Sequence, residues 1–523
     1  MGFMTKEFIA TVHPQSTATT AATRESADSR PAAIDVPTGL FVGGEFCSGG
    51  QGETFEVLDA STGQGFVNVH SATEDDARKA LDIACDVQEE WAATSPRERA
   101  EILRRIHELI IDHGDDLAAL QSLELGRALP DSKGEVTYGA EYFRWFSERA
   151  CDIRGDYRIA PAGNGRIVTM QRPVGPCLAI TPWNFPLAMV ARKLAPALAA
   201  GCTMIAKPPQ LTPLTMLYVA QLTKQAGLPD GVFQVLPTKS ASNVSCLLDD
   251  DRLRKLTFTG STEVGQMLAA KAAEKTIRTS LELGGNAPFV ALSHANVDRA
   301  VESAFGSKMR GGGQVCVASN RFIIHKDIAE EFISGLVDRL KECVVGPGNH
   351  PDTTVGPMVS AEQRDKVADM VDGAVNQGAT VELGGFNPAT AGDGKVKTSA
   401  DLDPQGFWYA PTVLTGVDQS FDIAHQEIFG PVVAIQVVDS DEEALKRAND
   451  TKFGLAGYVC GEKLEATLAF AEKMEAGMIG VNKGVLSDAA APFGGVKQSG
   501  LGREGGFEGI DEYLETLYLS LDL

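Results

Sequence analysis

Between Cys177 and Thr259 the chain repeats one unit: a short apolar run, a break rich in glycine or proline, then a helical stretch. The runs are Cys177-Leu-Ala-Ile180, Thr203-Met-Ile-Ala206, Gly231-Val-Phe-Gln-Val-Leu236 and Leu256-Thr-Phe-Thr259, with helices expected near 187–200 and 213–226. Strands this short and this continuously apolar are covered on both faces, which parallel strands joined by crossover helices achieve. The pattern predicts a doubly wound parallel α/β sheet. Ligands of such sheets gather beyond the carboxyl ends of the strands. That edge is where Asn184, Lys207 and Gly260-Ser261 fall. A second α/β series starts near 287, with strands at 287–292 and 322–324 and helices near 296–310 and 327–342. A chain of 523 residues is long enough for two or three such domains.

The flanking segments read differently. Residues 74–125 carry helical periodicity, and Thr73 with Asp76 makes a capping pair for the first helix. Arg166–Met170 and Glu515–Leu521 alternate in the manner of strands. The second of these needs a pairing partner, for which another subunit is the natural candidate. Residues 1–38 are expected to form a disordered tail, because 10–38 is dominated by Ala, Thr, Ser and Pro. No apolar run is long enough to span a membrane. The net charge of −23 argues against nucleic acid as a partner, and an anionic substrate would need its own basic pocket. The nine cysteines are scattered and odd in number, with no zinc-type spacing, so no metal is expected and a reducing compartment, the cytoplasm, is.

Five positions stand out chemically. Gly311-Gly-Gly-Gln-Val-Cys316 sets a thiol after a run without side chains, which leaves room for a ligand beside it; taken alone, such a cysteine is more often a small buried hydrophobe. Gly260-Ser-Thr-Glu-Val-Gly265 leaves a strand and opens a helix, so its amides can face a phosphate, or Ser261 can simply cap an ordinary turn. Lys207 ends an apolar strand and suits ribose hydroxyls, a phosphate or solvent. Glu282, between two leucines, is a carboxylate whose partial desolvation would make it a usable base, or else a salt-bridged strand residue. Glu427 sits in a similar apolar setting before Gly430-Pro431.

Thr181-Pro-Trp-Asn-Phe-Pro186, Thr257-Phe-Thr-Gly-Ser-Thr-Glu-Val-Gly265, Leu281-Glu-Leu-Gly-Gly285, Gly313-Gln-Val-Cys316, Glu427-Ile-Phe-Gly-Pro431 and Pro492-Phe-Gly-Gly-Val-Lys-Gln-Ser-Gly500 follow one another in the order of the NAD(P)-dependent aldehyde dehydrogenase superfamily, which the chain resembles from about residue 40 onward. The resemblance implies a Rossmann-type cofactor domain (39–150 and 174–284), an α/β catalytic domain (285–498) and a small β oligomerisation element (151–173 and 499–523), with a homodimer or homotetramer as the assembly. It implies Cys316 as nucleophile, Asn184 with the Cys316 amide as oxyanion donors and Glu282 as the base that releases a free acid. Thr181, Pro182, Trp183, Lys207, Pro208, Gln210, Gly260, Ser261, Val264, Leu283, Glu427 and Phe429 would surround the cofactor.

Many members carry a glutamate three residues after the lysine, where it opposes a 2′-phosphate. Here Gln210 is neutral, so NADP is the expected cofactor and NAD the alternative. Thr238 replaces a common glycine and is expected to narrow the adenine site. Ser307-Lys-Met-Arg310, Ala191-Arg-Lys193 and Gly509–Glu515 most resemble the succinate-semialdehyde dehydrogenases. That likeness implies Arg192, Arg310 and Ser487 as the substrate-carboxylate site; the competing reading of either arginine is a structural ion pair. A dehydrogenase for another carboxylated aldehyde, such as glutarate semialdehyde, is the nearest alternative. An inactive scaffold is the alternative of another class, and the intact Asn184, Glu282 and Cys316 argue against it.

Overall fold

A computed structural model describes residues 12–14, 34–399 and 402–522. Five parallel strands form the centre of an eight-stranded sheet: Arg278–Glu282, Lys255–Thr259, Cys177–Ile180, Met204–Lys207 and Phe233–Val235, in that spatial order. Counted along the chain, that is order 5-4-1-2-3, so the direction of winding reverses between Cys177–Ile180 and Lys255–Thr259. A doubly wound sheet opens its ligand crevice at such a reversal. Antiparallel strands finish both edges: Leu40–Val42 with Glu45–Cys47 on one side, and Gly500–Leu501 against Glu282 on the other. Strand Arg278–Glu282 was not among the apolar runs read from the sequence. It begins with an exposed arginine and a half-buried threonine, and only its last three residues are buried.

Helix Pro186–Ala200 is buried along its whole length. It packs on helix Leu129–Arg149 and the sheet. The Thr73 cap forms as expected: Asp76 N–H donates to the Thr73 hydroxyl, and Thr73 N–H donates back to Asp76. Such a reciprocal cap contributes about 1 kcal/mol.

The second α/β unit is a seven-stranded sheet, in spatial order Thr380–Leu383, Thr412–Thr415, Val432–Val438, Ser319–His325, Ala287–Ala291, Ala456–Cys460 and Met478–Val481. All its pairings are parallel except the first. A third, antiparallel sheet joins Leu514–Leu521, Arg166–Pro173 and Asp156–Ile159.

Two expectations change here. Strand Leu514–Leu521 finds a partner within its own chain, in unbroken register from Leu514 opposite Pro173 to Leu521 opposite Arg166; it is the outermost strand of this sheet, so its other edge stays open. Most of the expected disordered tail lies outside the described residues. Its last part, however, is strand Ile34–Val36, whose Ile34 and Val36 side chains are buried in the core. Two apolar residues spaced for one face of a strand outweigh the polar composition around them.

Candidate active site

Helix Val297–Met309 leads into Gly311-Gly312-Gly313, and all three glycines take the left-handed conformation, with φ of 57°, 63° and 74°. Three consecutive residues with side chains would be strained there. A Cβ on Gly313 would also lie 2.2 Å from the Gly430 carbonyl oxygen. What the triple glycine supplies is therefore a left-handed reversal of the chain and a close backbone approach to the Glu427–Pro431 loop, rather than space beside the thiol. The turn is held by Gly311 N–H donating to Asp131 (2.7 Å). The Gln314 side-chain oxygen accepts from Val359 N–H (3.0 Å).

Cys316 follows this turn, half-buried. Burial pushes its thiol up to about 12; the Arg192 charge pulls the other way, while Glu427 and Glu282 add to the rise. The resting group is a protonated thiol that has to be activated. Asn184 is buried in the loop beyond strand Cys177–Ile180, and its Nδ2 donates to the Gln314 carbonyl (3.0 Å). The amide is thereby pinned two residues from Cys316, with its second N–H uncommitted and Oδ1 unpartnered. Glu282 ends its strand 3% exposed, with one carboxylate oxygen lacking a partner. Burial, then repulsion from Glu504, holds its carboxyl well above the usual range, against the pull of Arg192, Lys193 and Arg503. The structure thus ties Asn184 to the backbone two residues before Cys316 and brings Glu282 close enough for its charge to act on the thiol.

Lys207 ends strand Met204–Lys207, and its Nζ donates only to the Pro208 carbonyl (3.1 Å). It has no ion-pair partner among the described residues. Burial alone lowers its ammonium to about 8. Pro208 is buried next to it, and Gln210 is exposed. Gly260 and Ser261 follow the strand across the reversal; Ser261 caps helix Thr262–Glu274 by accepting from Val264 N–H (3.3 Å). Val264 is exposed and Leu283 buried. The Thr181 hydroxyl is buried without a hydrogen bond, while Pro182 and Trp183 are half-buried. Trp183 meets Phe429 edge to face at 5.3 Å. Phe429 has φ of 57°, an uncommon strain for an aromatic residue. Glu427 accepts from Gly285 N–H (3.0 Å), and burial raises its carboxyl to about 7. Thr238 is fixed by its own turn, its hydroxyl donating to the Ala72 and Ser240 carbonyls and accepting from Asn243.

The two candidate arginines part company. Arg192, 2% exposed, is ion-paired with Glu504 and lies over the Phe493 ring at 4.4 Å. Lys193 shares the same carboxylate and also donates to the Thr259 hydroxyl (2.6 Å). Arg310 is half-buried over the rings of Phe185 (5.0 Å) and Tyr138 (5.7 Å), with no ion-pair partner among the described residues. It shares a small cavity with Ser487, Val315, Val317 and Tyr458.

Several supporting residues escaped the sequence reading. Arg127 pairs with buried Glu135 and donates to the Asn184 backbone carbonyl. Glu135 in turn accepts from Leu187 N–H (3.0 Å) and Ala188 N–H (3.2 Å), closing the start of helix Pro186–Ala200. The available signal was a glutamate on the same helical face as Val136, Gly139 and Ala140. Nothing local in the sequence marks Glu504 as the partner of Arg192 and Lys193. Among the described residues no His, Cys, Asp and Glu group could hold a metal ion, and no helix is long and apolar enough to cross a membrane.

Known proteins share this arrangement. The aldehyde dehydrogenase family profile matches residues 46–518. A succinate-semialdehyde dehydrogenase of Paenarthrobacter nicotinovorans is 48% identical over 452 residues, 86% of this chain and 97% of that protein. A glutarate-semialdehyde dehydrogenase of Pseudomonas aeruginosa is 40% identical over 92% of this chain and 97% of its own length. Among solved structures, an E. coli NADP-dependent enzyme superposes with a TM-score of 0.90 at 37% identity, covering 93% of this chain and 98% of that one. A profile match across most of the chain, carried by relatives and a fold that agree end to end, leaves one conclusion: the chain belongs to the aldehyde dehydrogenase family.

Proposed function

We propose that this chain oxidises succinate semialdehyde to succinate with NADP. The observation that carries the substrate class is Arg310: a guanidinium without a carboxylate, sharing a cavity with Ser487 beside the Cys316 loop. In a chain of charge −23, a cation left unpaired at such a place suits an anionic substrate. The relatives' names agree with a dicarboxylic semialdehyde. The P. aeruginosa relative keeps glutarate semialdehyde as the second reading.

The residues present fit a dinucleotide with a 2′-phosphate. Lys207 offers a charge that no protein carboxylate neutralises, Gln210 does not repel a phosphate, and the unsatisfied Thr181 hydroxyl lies on the same edge. The E. coli structural neighbour is described as NADP dependent. Thr181, Pro182, Trp183, Lys207, Pro208, Gln210, Gly260, Ser261, Val264, Leu283, Glu427 and Phe429 would hold the cofactor, whose nicotinamide supplies the hydride acceptor.

Cys316 gives its proton to a water molecule, and the thiolate sulfur adds to the aldehyde carbon as the C=O π pair moves to oxygen, placing negative charge on the former carbonyl oxygen. The free N–H of Asn184 and the Cys316 backbone N–H receive that oxygen. Loss of hydride from the same carbon leaves a thioester on Cys316. Glu282 then takes a proton from water, the water oxygen adds to the acyl carbon, and the thiolate leaves as succinate forms. An NADPH-absorbance screen of succinate semialdehyde, glutarate semialdehyde and uncharged aldehydes, run with NADP and with NAD, tests the reading. Equal use of charged and uncharged aldehydes would overturn it.

The exposed Tyr157, Ile159, Met170 and Tyr518 on the third sheet support a homodimer or homotetramer, which light scattering tests. The nine free thiols support a cytoplasmic location.

A further inference from the structure

The two N–H groups that receive the oxyanion come from different sheets. Asn184 follows strand Cys177–Ile180 of the eight-stranded sheet, and Cys316 precedes strand Ser319–His325 of the seven-stranded one. Such a donor pair works only when both members are held within a fraction of an ångström of one oxygen position. The bond from Asn184 Nδ2 to the Gln314 carbonyl (3.0 Å) ties the two loops once. A single bond still permits them to pivot about it.

A third element grips both loops. It is the start of helix Leu129–Arg149, with Arg127 just before the helix and Asp131 and Glu135 in its first two turns. Buried Arg127 donates from one guanidinium nitrogen to Glu135 and from another to the Asn184 backbone carbonyl. The planar fork serves both acceptors in fixed directions at once. Its face lies over the Phe185 ring at 4.2 Å, so the residue after Asn184 is held as well. Glu135 accepts from Leu187 N–H (3.0 Å) and Ala188 N–H (3.2 Å), which fixes the chain on the far side of Phe185. Asp131 serves the other loop: it accepts from Gly311 N–H (2.7 Å), at the head of the turn that leads to Cys316. Leu129 N–H donates to the Gly348 carbonyl (2.9 Å), so the same helix end is anchored beyond the two loops.

We infer that Arg127 and Asp131 are positioning residues: resting on the roles given above to Asn184 and Cys316, they register the two halves of the oxyanion site on one helix end and so set the rate of the chemical step. Both act through the backbone groups they hold. A helix end is a stiffer reference than either loop, which is why two loops from separate sheets can meet there with a constant spacing.

The test reads single-turnover NADPH formation with enzyme in excess, KM for succinate semialdehyde and Kd for NADP. Arg127→Met combined with Glu135→Gln removes the donor to Asn184 without stranding a buried charge. A displacement of about 1 Å costs on the order of 100-fold in rate, so this double variant should slow single turnover by about 10- to 100-fold. KM and Kd should stay within about threefold. In an Asn184→Ala background the same double variant should add less than about threefold, because the group it positions is gone. Asp131→Ala, which removes one hydrogen bond, should slow single turnover by about 3- to 10-fold, and Asp131→Asn, which returns an acceptor oxygen, should recover most of that loss. Losses that multiply fully in the Asn184→Ala background, or that fall on KM and Kd while single turnover is kept, would overturn the role of Arg127. Asp131→Ala as fast as wild type would overturn the role of Asp131, whether or not the Arg127 variant folds. Wild-type single turnover in Asn184→Ala would overturn the assignment of Asn184 and the role of Arg127 together.

Discussion

The cofactor edge and the ground beneath the thiol treat charge in opposite ways. At the edge, Lys207 stands at a strand end without an anion, and burial alone sets its proton affinity. Beneath the thiol, Arg192 and Lys193 converge on Glu504, and their charges offset one another in the interior. Arg310 belongs with Lys207 although it lies near Arg192. The difference separates residues that wait for a ligand's charge from residues whose charge is already answered. The first kind should affect binding when removed, and the second should affect the fold.

Substitutions can break that division, beginning with the residues that neither side spares. Cys316→Ala should abolish turnover, by roughly 10⁴-fold or more, because the nucleophile has no substitute. An active variant would remove the thiol from the chemistry. Glu282→Gln should lower steady-state turnover by about 10²- to 10⁴-fold yet still release one burst of NADPH, since only thioester hydrolysis needs the base. Stopped-flow absorbance separates burst from turnover. The raised carboxyl of Glu282 also fixes a sign: the base works deprotonated, so the acidic limb of the hydrolysis rate should lie above the usual carboxylate range and move with substitutions of Glu504.

The arginines give the sharpest contrast. Arg310→Ala should raise KM for succinate semialdehyde about 10- to 100-fold with little change in urea stability. Arg192→Ala should instead cost about 3–5 kcal/mol of stability, because it leaves Glu504 buried with one counter-charge fewer. Matching effects in the two variants would collapse the distinction. The smallest effect belongs to Lys207. Its ammonium begins to lose its proton near pH 8, so preference for NADP over NAD should fade as pH rises through about 8, and Lys207→Ala should show no such trend. Kd values for the two cofactors at several pH values decide it.

Much of this was legible before the structure. Alternating apolar runs announced the sheet, because buried parallel strands leave no room for polar residues, and the ordered motifs named Cys316, Asn184 and Glu282 as candidates. What stayed hidden had physical reasons. The pairing of Lys193 with Glu504 spans 311 positions, and that of Arg127 with the Asn184 carbonyl spans 57. No local pattern encodes contacts of that range. Three glycines announce freedom but not the hand of the turn they make. An alternating terminal strand shows that it needs a partner, yet not that residues 166–173 provide one. The arginines look alike in sequence, and only their neighbours tell them apart.

The Glu504 junction also has a consequence for how the enzyme is born. Chains emerge and begin to fold from the amino end. Helix Pro186–Ala200 is synthesised with two cations on its inner face long before Glu504 exists. Until that glutamate arrives, the helix cannot bury Arg192 and Lys193 without leaving them unanswered, so the interior beneath Cys316 stays open. The core around helix Pro186–Ala200 is therefore completed by a residue made after Cys316 itself, so closure of that core is among the last steps available to the folding chain.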